Sequence, residues 1–201
     1  MAAAAKTQDV RAVTIPPIDV RRMTLKLVGD SELICHKWSE KAKKEMLDKQ
    51  MGKAKSGKKA PKDPEQDYRD SLYEIAHGVY GFPSVGFKSA AVSACRYVDG
   101  MKMTEARGAF HVVGEFVTIN GTPRMREDMV RVGMGIADIR YRGGFVEWSA
   151  EVTIAYNAGV FQPEQIVNLF NQGGFGVGVG EWRPEKDGAF GRFHVARGDE
   201  Q

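Results

Sequence analysis

The segment "GGFGVGVGEWRPEKDGAFGRF", residues 173–193, restricts the fold more than any other part of the chain. Phe175, Val177 and Val179 alternate with Gly176, Gly178 and Gly180. As a strand, this pattern sends apolar side chains to one face and leaves only backbone on the other. The turn "PEKDG" follows and "AFGRFHV" reads as the partner strand, so the sequence predicts a hairpin with one bare face. A bare backbone has two uses. It packs closely against a helix or another subunit, or it admits a polyphosphate or nucleic-acid backbone to its N–H groups. The residues alone leave both open. The stretch contains no G-x-G-x-x-G, and the chain has no G-x-x-x-x-G-K-[ST], which argues against dinucleotide and P-loop sites.

The other segments supply a sheet and its helices. "FVEWSAEVTIAY" is the clearest strand, with Trp148, Ala150, Val152, Ile154 and Tyr156 on an apolar face. Glu147, Ser149, Glu151 and Thr153 make the wet face. "RRMTLKLV" alternates in the same way from Arg22. "AFHVVGEFVTI" and "MVRVGMGIADIRY" read as further strands, and the polar turn "NGTPRMRED" between them carries Arg124 and Arg126. "GFPSVGFKSAAVSACRYVDG" reads as a helix with Ser84 as N-cap and Gly100 past its end. Lys88 and Arg96 fall on it at a spacing that points both roughly the same way. "FQPEQIVNLFNQGG" predicts a short helix with Pro163 first, Glu164 in the first turn and Gly173 as its stop. Residues 1–21 read as a flexible tail, and 22–198 as one domain carrying a Lys-rich, partly helical insertion at 39–70.

Composition narrows the chemistry. With 201 residues, 42% of them hydrophobic, the chain can bury a core of its own. It has no apolar run of the ~18 residues a membrane span needs and no signal-peptide pattern at its start, so a cytoplasmic protein without a membrane partner is expected. Cys35 and Cys95 lie far apart and are expected to be reduced. The four histidines show no metal-ligand spacing, no G-x-S-x-G is present, and carboxylates mostly sit beside cations. No cofactor, no metal and no catalysis are therefore expected, His36 being a thin candidate for a general base. Net charge is only +3, but the cations are clustered, and binding depends on the local field.

From residue 80 onward the order is turn, helix, strands, short helix, glycine-rich loop and strand. With "FPSVGFKSAAVSACR" and "LFNQGGFGVGVGEWRPEKDGAFGRF", this order resembles the RAMP superfamily of CRISPR backbone and RNA-processing subunits. The resemblance implies an α+β, ferredoxin-like antiparallel sheet with two packing helices, RNA as partner, and side-by-side assembly along a strand. The chain departs from that family in two ways. Arg183 and Lys186 follow the glycines instead of lying among them, and 39–70 has no counterpart. A second resemblance, to uncharacterised early proteins of tailed bacteriophages, rests on "VGDSELICHKWSEKAKKEMLDKQ", "PRMREDMVRVGMGIADIRYRGGF" and "GVGEWRPEKDGAFGRFHV". It implies a phage origin and the host cytoplasm.

Two functions are expected on these grounds. The first is single-stranded nucleic-acid binding, to RNA or DNA, by a homo-oligomer. Lys88, Arg96, Arg124, Arg126, Arg131, Arg140, Arg142, Arg183 and Lys186 would supply charge. Gly174, Gly176 and Gly178 would supply backbone, and Trp182 or Tyr141 a stacking surface. The second is an interaction protein that docks a host protein or another subunit through its glycine-rich hairpin. A weaker third is metal-free RNA cleavage by His36. The first predicts that the arginines share one surface with Lys88 and Arg96. The second predicts that they scatter or pair with Glu127, Asp128 and Asp138.

Overall fold

The structure, a computed structural model, describes residues 15–52, 61–132, 135–198 and 200. The strands are β1 (Val20–Gly29), β2 (Leu33–Ile34), β3 (Tyr73–Ala76), β4 (Val79–Pro83), β5 (Phe110–Val112), β6 (Phe116–Asn120), β7 (Pro123–Val132), β8 (Ile136–Phe145), β9 (Ser149–Asn157) and β10 (Phe193–Val195). The helices are α1 (Glu40–Gln50), α2 (Pro64–Ser71), α3 (Ser84–Ala94), α4 (Met103–Ala109) and α5 (Pro163–Gly176). One seven-stranded sheet runs β10-β1-β9-β6-β4-β3, with β5 also on β9. Every pairing in it is antiparallel.

Five of these strands and two helices make a ferredoxin-like core, with β5 and β6 together standing as its second strand. β1, α3, β5/β6, β9, α5 and β10 follow one another as βαββαβ, and the sheet places the last strand beside the first and the third between first and second. The alternation in "VEWSAEVTIAY" decides which face is covered. Trp148, Ala150, Val152, Ile154 and Tyr156 are all buried, while Glu147 and Glu151 are exposed. Phe87, Ala90 and Ala94 of α3 are buried with them, as are Ile166, Leu169 and Phe170 of α5. Each large apolar side chain removed from water there contributes roughly 1.5–3 kcal/mol.

Several expectations change. The glycine stretch forms no strand. α5 continues through Gly173 and Gly174 to Gly176, and only Phe193–Val195 of "AFGRFHV" is a strand, paired with β1. Helix packing explains the difference. A Cβ on Gly173 would lie 2.8 Å from the Ala90 backbone of α3, and one on Gly174 would lie 1.9 Å from the Phe193 carbonyl. Glycine here lets three backbones approach, and tertiary packing overrides its helix-stopping tendency.

"PRMRED" is no turn either. It lies in β7, which pairs with β8 from Pro123↔Phe145 to Val132↔Ile136 as a long hairpin, and β2 adds to form a second, three-stranded sheet. "MVRVGMGIADIRY" is thus two antiparallel strands, and Gly135 at φ 87° helps turn the chain between them. "AFHVVGEFVTI" is likewise broken, into β5 and β6, at Gly114 with φ 90°. Ser84 is the first residue of α3, not its cap, and its hydroxyl donates to the Gly114 carbonyl.

Val20 and Arg21 already belong to β1, which shortens the expected tail; residues 1–14 of that tail, residues 53–60 of the insertion and residues 133–134 lie outside the described residues. The described part of this insertion region holds α1 and α2, N-capped by Ser39 and Asp63. Among the described residues, no helix is long and apolar enough to cross a membrane.

Candidate nucleic-acid interface

Residues 177–191 fold back on the body after α5, and their N–H groups are mostly committed within the fold. Val177 and Gly178 donate to the Gly173 carbonyl, Val179 to Gly191, Glu181 to Ile34 and Glu185 to Val177. Gly191 in turn donates to Glu32. A row of free amides waiting for phosphates, one of the two sequence readings, is therefore not what this loop presents. Gly174 is buried, and Gly176 lies under the Tyr97 ring, where a Cβ would come within 3.0 Å. Gly178 is buried at φ 70°. The close-packing use of the bare backbone is the one the structure realises.

One face of the β7–β8 hairpin meets this loop through a charged network. Alternation puts Arg124, Arg126, Asp128, Arg140 and Arg142 on that face, and Arg131 on the opposite one. Glu32 accepts from Arg124 at 3.1 Å and also from Arg126, which reaches on to Asp128 at 3.0 Å. Arg142 lies 3.7 Å from Asp128 and 3.8 Å from Glu181, with its side chain 3% exposed. Its Nε and Nη1 are buried without a hydrogen-bond partner. Burial lowers the Arg142 pKa, against the pull of Glu181 and Asp128. Arg140 pairs with Asp138 at 3.8 Å. Arg142 is thus corrected from a surface contact to a buried structural residue. Arg124, Arg126 and Arg140 carry carboxylate partners. On this criterion the hairpin matches the pattern expected of the second function.

Trp182 is also engaged. Its φ of 51° is unusual for a bulky residue and is held from several sides. The Arg142 guanidinium lies over its ring at 5.4 Å, the Phe190 ring sits at 6.0 Å, and its carbonyl accepts from the Phe190 amide. Arg126 caps Phe190 at 5.0 Å. Trp182 is thus engaged in the fold's own packing, with Arg142 over its ring and Phe190 tilted against it. Tyr141 lies on the other hairpin face, opposite Glu127.

An open cleft of about 350 Å3 lies between the first turns of α3, the glycine loop and the segment after β2. Tyr73, Phe82 and Val85 line its apolar side, and Val85 is 68% exposed. His36, Ser89, Arg183 and the backbone of Gly178 and Gly180 line its polar side. His36 Nδ1 lies 3.4 Å from Glu181. That contact, with Arg142 nearby, holds the Glu181 carboxyl below its ordinary range despite burial. At the rim, Glu185 receives Arg96 at 3.1 Å and Arg183 at 2.8 Å. Burial pushes the Glu185 carboxyl up, but the two arginines outweigh it and leave it lowered.

The structure therefore brings Arg96, Arg183 and Gly178 together at one cleft, with Lys186 exposed in the adjoining turn Pro184–Lys186. Lys88 parts from Arg96: it turns to His111 of β5, at 3.0 Å. Sequence reasoning named His36 but missed its carboxylate partner, Glu181, and the Glu32 carboxylate that gathers two arginines. The signal for Glu32 was present, a lone acid in the apolar run "SELIC".

No family model matches the chain, and no curated protein matches it. Among solved structures it is similar to Cmr6 from Pyrococcus furiosus, at 10% identity and a TM-score of 0.48 over 90% of this chain and 100% of that one. It is also similar to a chain of the cryo-EM structure of the Type III-B Cmr-beta bound to cognate target RNA. There the identity is 8% and the TM-score 0.51, over 89% of this chain and 59% of that one, so the chain spans under two thirds of that neighbour. The second likeness and the strand order agree on the fold: the chain has a ferredoxin-like α+β architecture, shared with that chain.

Proposed function

We propose that the protein is a non-catalytic, single-stranded nucleic-acid-binding module of phage origin that acts in the host cytoplasm and assembles side by side along the strand. The observation that carries this reading is the two-sided cleft. Val85 and Tyr73 offer an apolar wall to bases, and His36, Ser89 and Arg183 offer donors to phosphate and sugar oxygens. A strand of nucleotides alternates the same two chemistries. The shared fold with a chain of an RNA-bound complex supports it. The cleft also holds Glu181 and Glu185, each balanced by a cation, so its own field is close to neutral. Affinity from this cleft then depends only modestly on salt.

One observation favours docking as a second reading. Met125, Met129, Ile136 and Ile139 of the hairpin are exposed, and the hairpin arginines are already neutralised. Fluorescence anisotropy with labelled single-stranded RNA, single-stranded DNA and duplex DNA separates the two. The first reading predicts binding to single strands in preference to duplex. Absence of binding to all three at low salt refutes it and sends the search to a host protein or a self-docking surface, by pull-down and light scattering.

A further inference from the structure

Charge compensation is uneven over this molecule. Arg21, Lys43, Lys62, Arg69, Arg96, Arg124, Arg126, Arg140 and Arg183 each meet a carboxylate. Other described cations meet none, and at the free edge of β5 such cations gather around one side-chain contact. Lys88 reaches from α3 to the His111 ring at 3.0 Å, and Arg107, in the last turn of α4 just before β5, lies close enough to Lys88 to repel its charge. Among the described residues, no carboxylate lies within ion-pairing distance of Lys88, Arg107, His111 or Arg22. Arg22 belongs to the same surface because Ala155 is the cross-strand partner of both Arg22 and His111. Two strand spacings, about 10 Å, separate the two backbones, with only a methyl group between them. On the same open face, the Thr24 and Thr153 hydroxyls bond each other at 3.3 Å.

We infer that Lys88, Arg107, His111 and Arg22 form a phosphate-binding site on the open sheet face, separate from the cleft. The Lys88 ammonium donates to His111 Nδ1, so the neutral ring carries its proton on Nε2 and turns a second donor outward. Partial burial and the neighbouring Arg107 both lower the Lys88 pKa, and an incoming anion offsets the repulsion between the two cations. Ser89, which lines the cleft, follows Lys88 on α3, so the site and the cleft lie on adjoining sides of one helix. A strand leaving the cleft over α3 would meet it. The site does not require that reading, since any phosphate group satisfies the same donors.

The test is NMR of the His111 ring in the full chain, titrated with inorganic pyrophosphate in one arm and an abasic deoxyribose-phosphate oligomer in the other. A saturable shift is expected, weakened roughly tenfold in Lys88→Gln and in Arg107→Gln, as for loss of one charge-assisted hydrogen bond. A shift with pyrophosphate alone identifies a free phosphate ligand; a shift that includes the oligomer identifies a phosphodiester strand. The absence of a shift in both arms overturns the site. So does a shift that Lys88→Gln and Arg107→Gln leave unchanged while thermal melts show both variants folded. Failure of single-strand binding in anisotropy, with the His111 shift retained, would sink the cleft reading and spare this one.

Discussion

Two glycine-to-alanine substitutions, both inside helices, should change stability in opposite directions. In α4, Gly108 has nothing within 4 Å of where a Cβ would stand. Alanine there gains helix propensity and restricts the unfolded chain, worth about 0.5–1 kcal/mol of added stability. In α5, the same methyl on Gly174 would lie 1.9 Å from the Phe193 carbonyl oxygen and 2.7 Å from its ring. The carbonyl belongs to β10, an edge strand held by β1, so relief requires α5 or β10 to move. Overpacking of this kind costs about 1–3 kcal/mol or more, and it exceeds the propensity gain. Gly174→Ala should therefore lose about 2 kcal/mol, or roughly 4–8 °C in Tm for a chain of this size. Urea unfolding followed by circular dichroism measures both variants. A Gly174→Ala protein as stable as the parent, with Gly108→Ala behaving as expected, would falsify the claim that the glycines of α5 exist for close approach.

Other consequences follow from the charged network and the buried groups. Asp128→Ala leaves Arg142 buried without one of its two carboxylates, and urea unfolding should show a loss of about 3 kcal/mol; an unchanged midpoint would mean that Arg142 is satisfied elsewhere. His194 is half-buried between Asp30 at 2.7 Å and Glu200 at 3.0 Å. Burial disfavours its charged form, but the hydrogen bonds to Glu200 and Asp30 outweigh it and raise its pKa. The stabilisation is then complete below the unfolded value near ~6.5 and fades as pH rises through the higher folded value. The Tm deficit of His194→Gln should accordingly be larger at pH 6 than at pH 9, and a deficit independent of pH would contradict the assignment. Burial pushes the Cys35 thiol up to about 12 and also raises Cys95. Both should resist a thiol-reactive dye at pH 8 in the folded protein and react after unfolding in urea.

The sheet was legible where side chains alternate between two environments. "VEWSAEVTIAY" fixes β9 and its buried face because each second residue is apolar and the other face is wet, and "RRMTLKLV" does the same for β1. The first half of the insertion was legible as helix because it is rich in Lys, Glu, Ala and Met, all good helix formers, whereas α2, which starts at Pro64 after a Gly/Lys-rich stretch, was not. The glycine stretch was misread because its alternation suits a strand, whereas its actual cause is spatial. Ala90 and Phe193, distant in sequence, come too close for any side chain. The same limit hid the site. Nothing local in "PRMRED" shows that Glu32 would reach its arginines, or that Glu181 would stand beside His36. The fate of Trp182 depends on Arg142 and Phe190, which only the folded hairpin and loop bring to it.

The central claim is that a single strand lies in the cleft between α3 and the glycine loop. Ultraviolet cross-linking of the protein to single-stranded RNA containing 4-thiouridine, followed by mass spectrometry of the linked peptides, tests it most directly. The account predicts cross-links within residues 73–89 and 177–185, around Tyr73, Val85 and Arg183. Cross-links confined to Met125, Met129 or Ile139 on the exposed hairpin, or none at all under conditions of measurable binding, would contradict it.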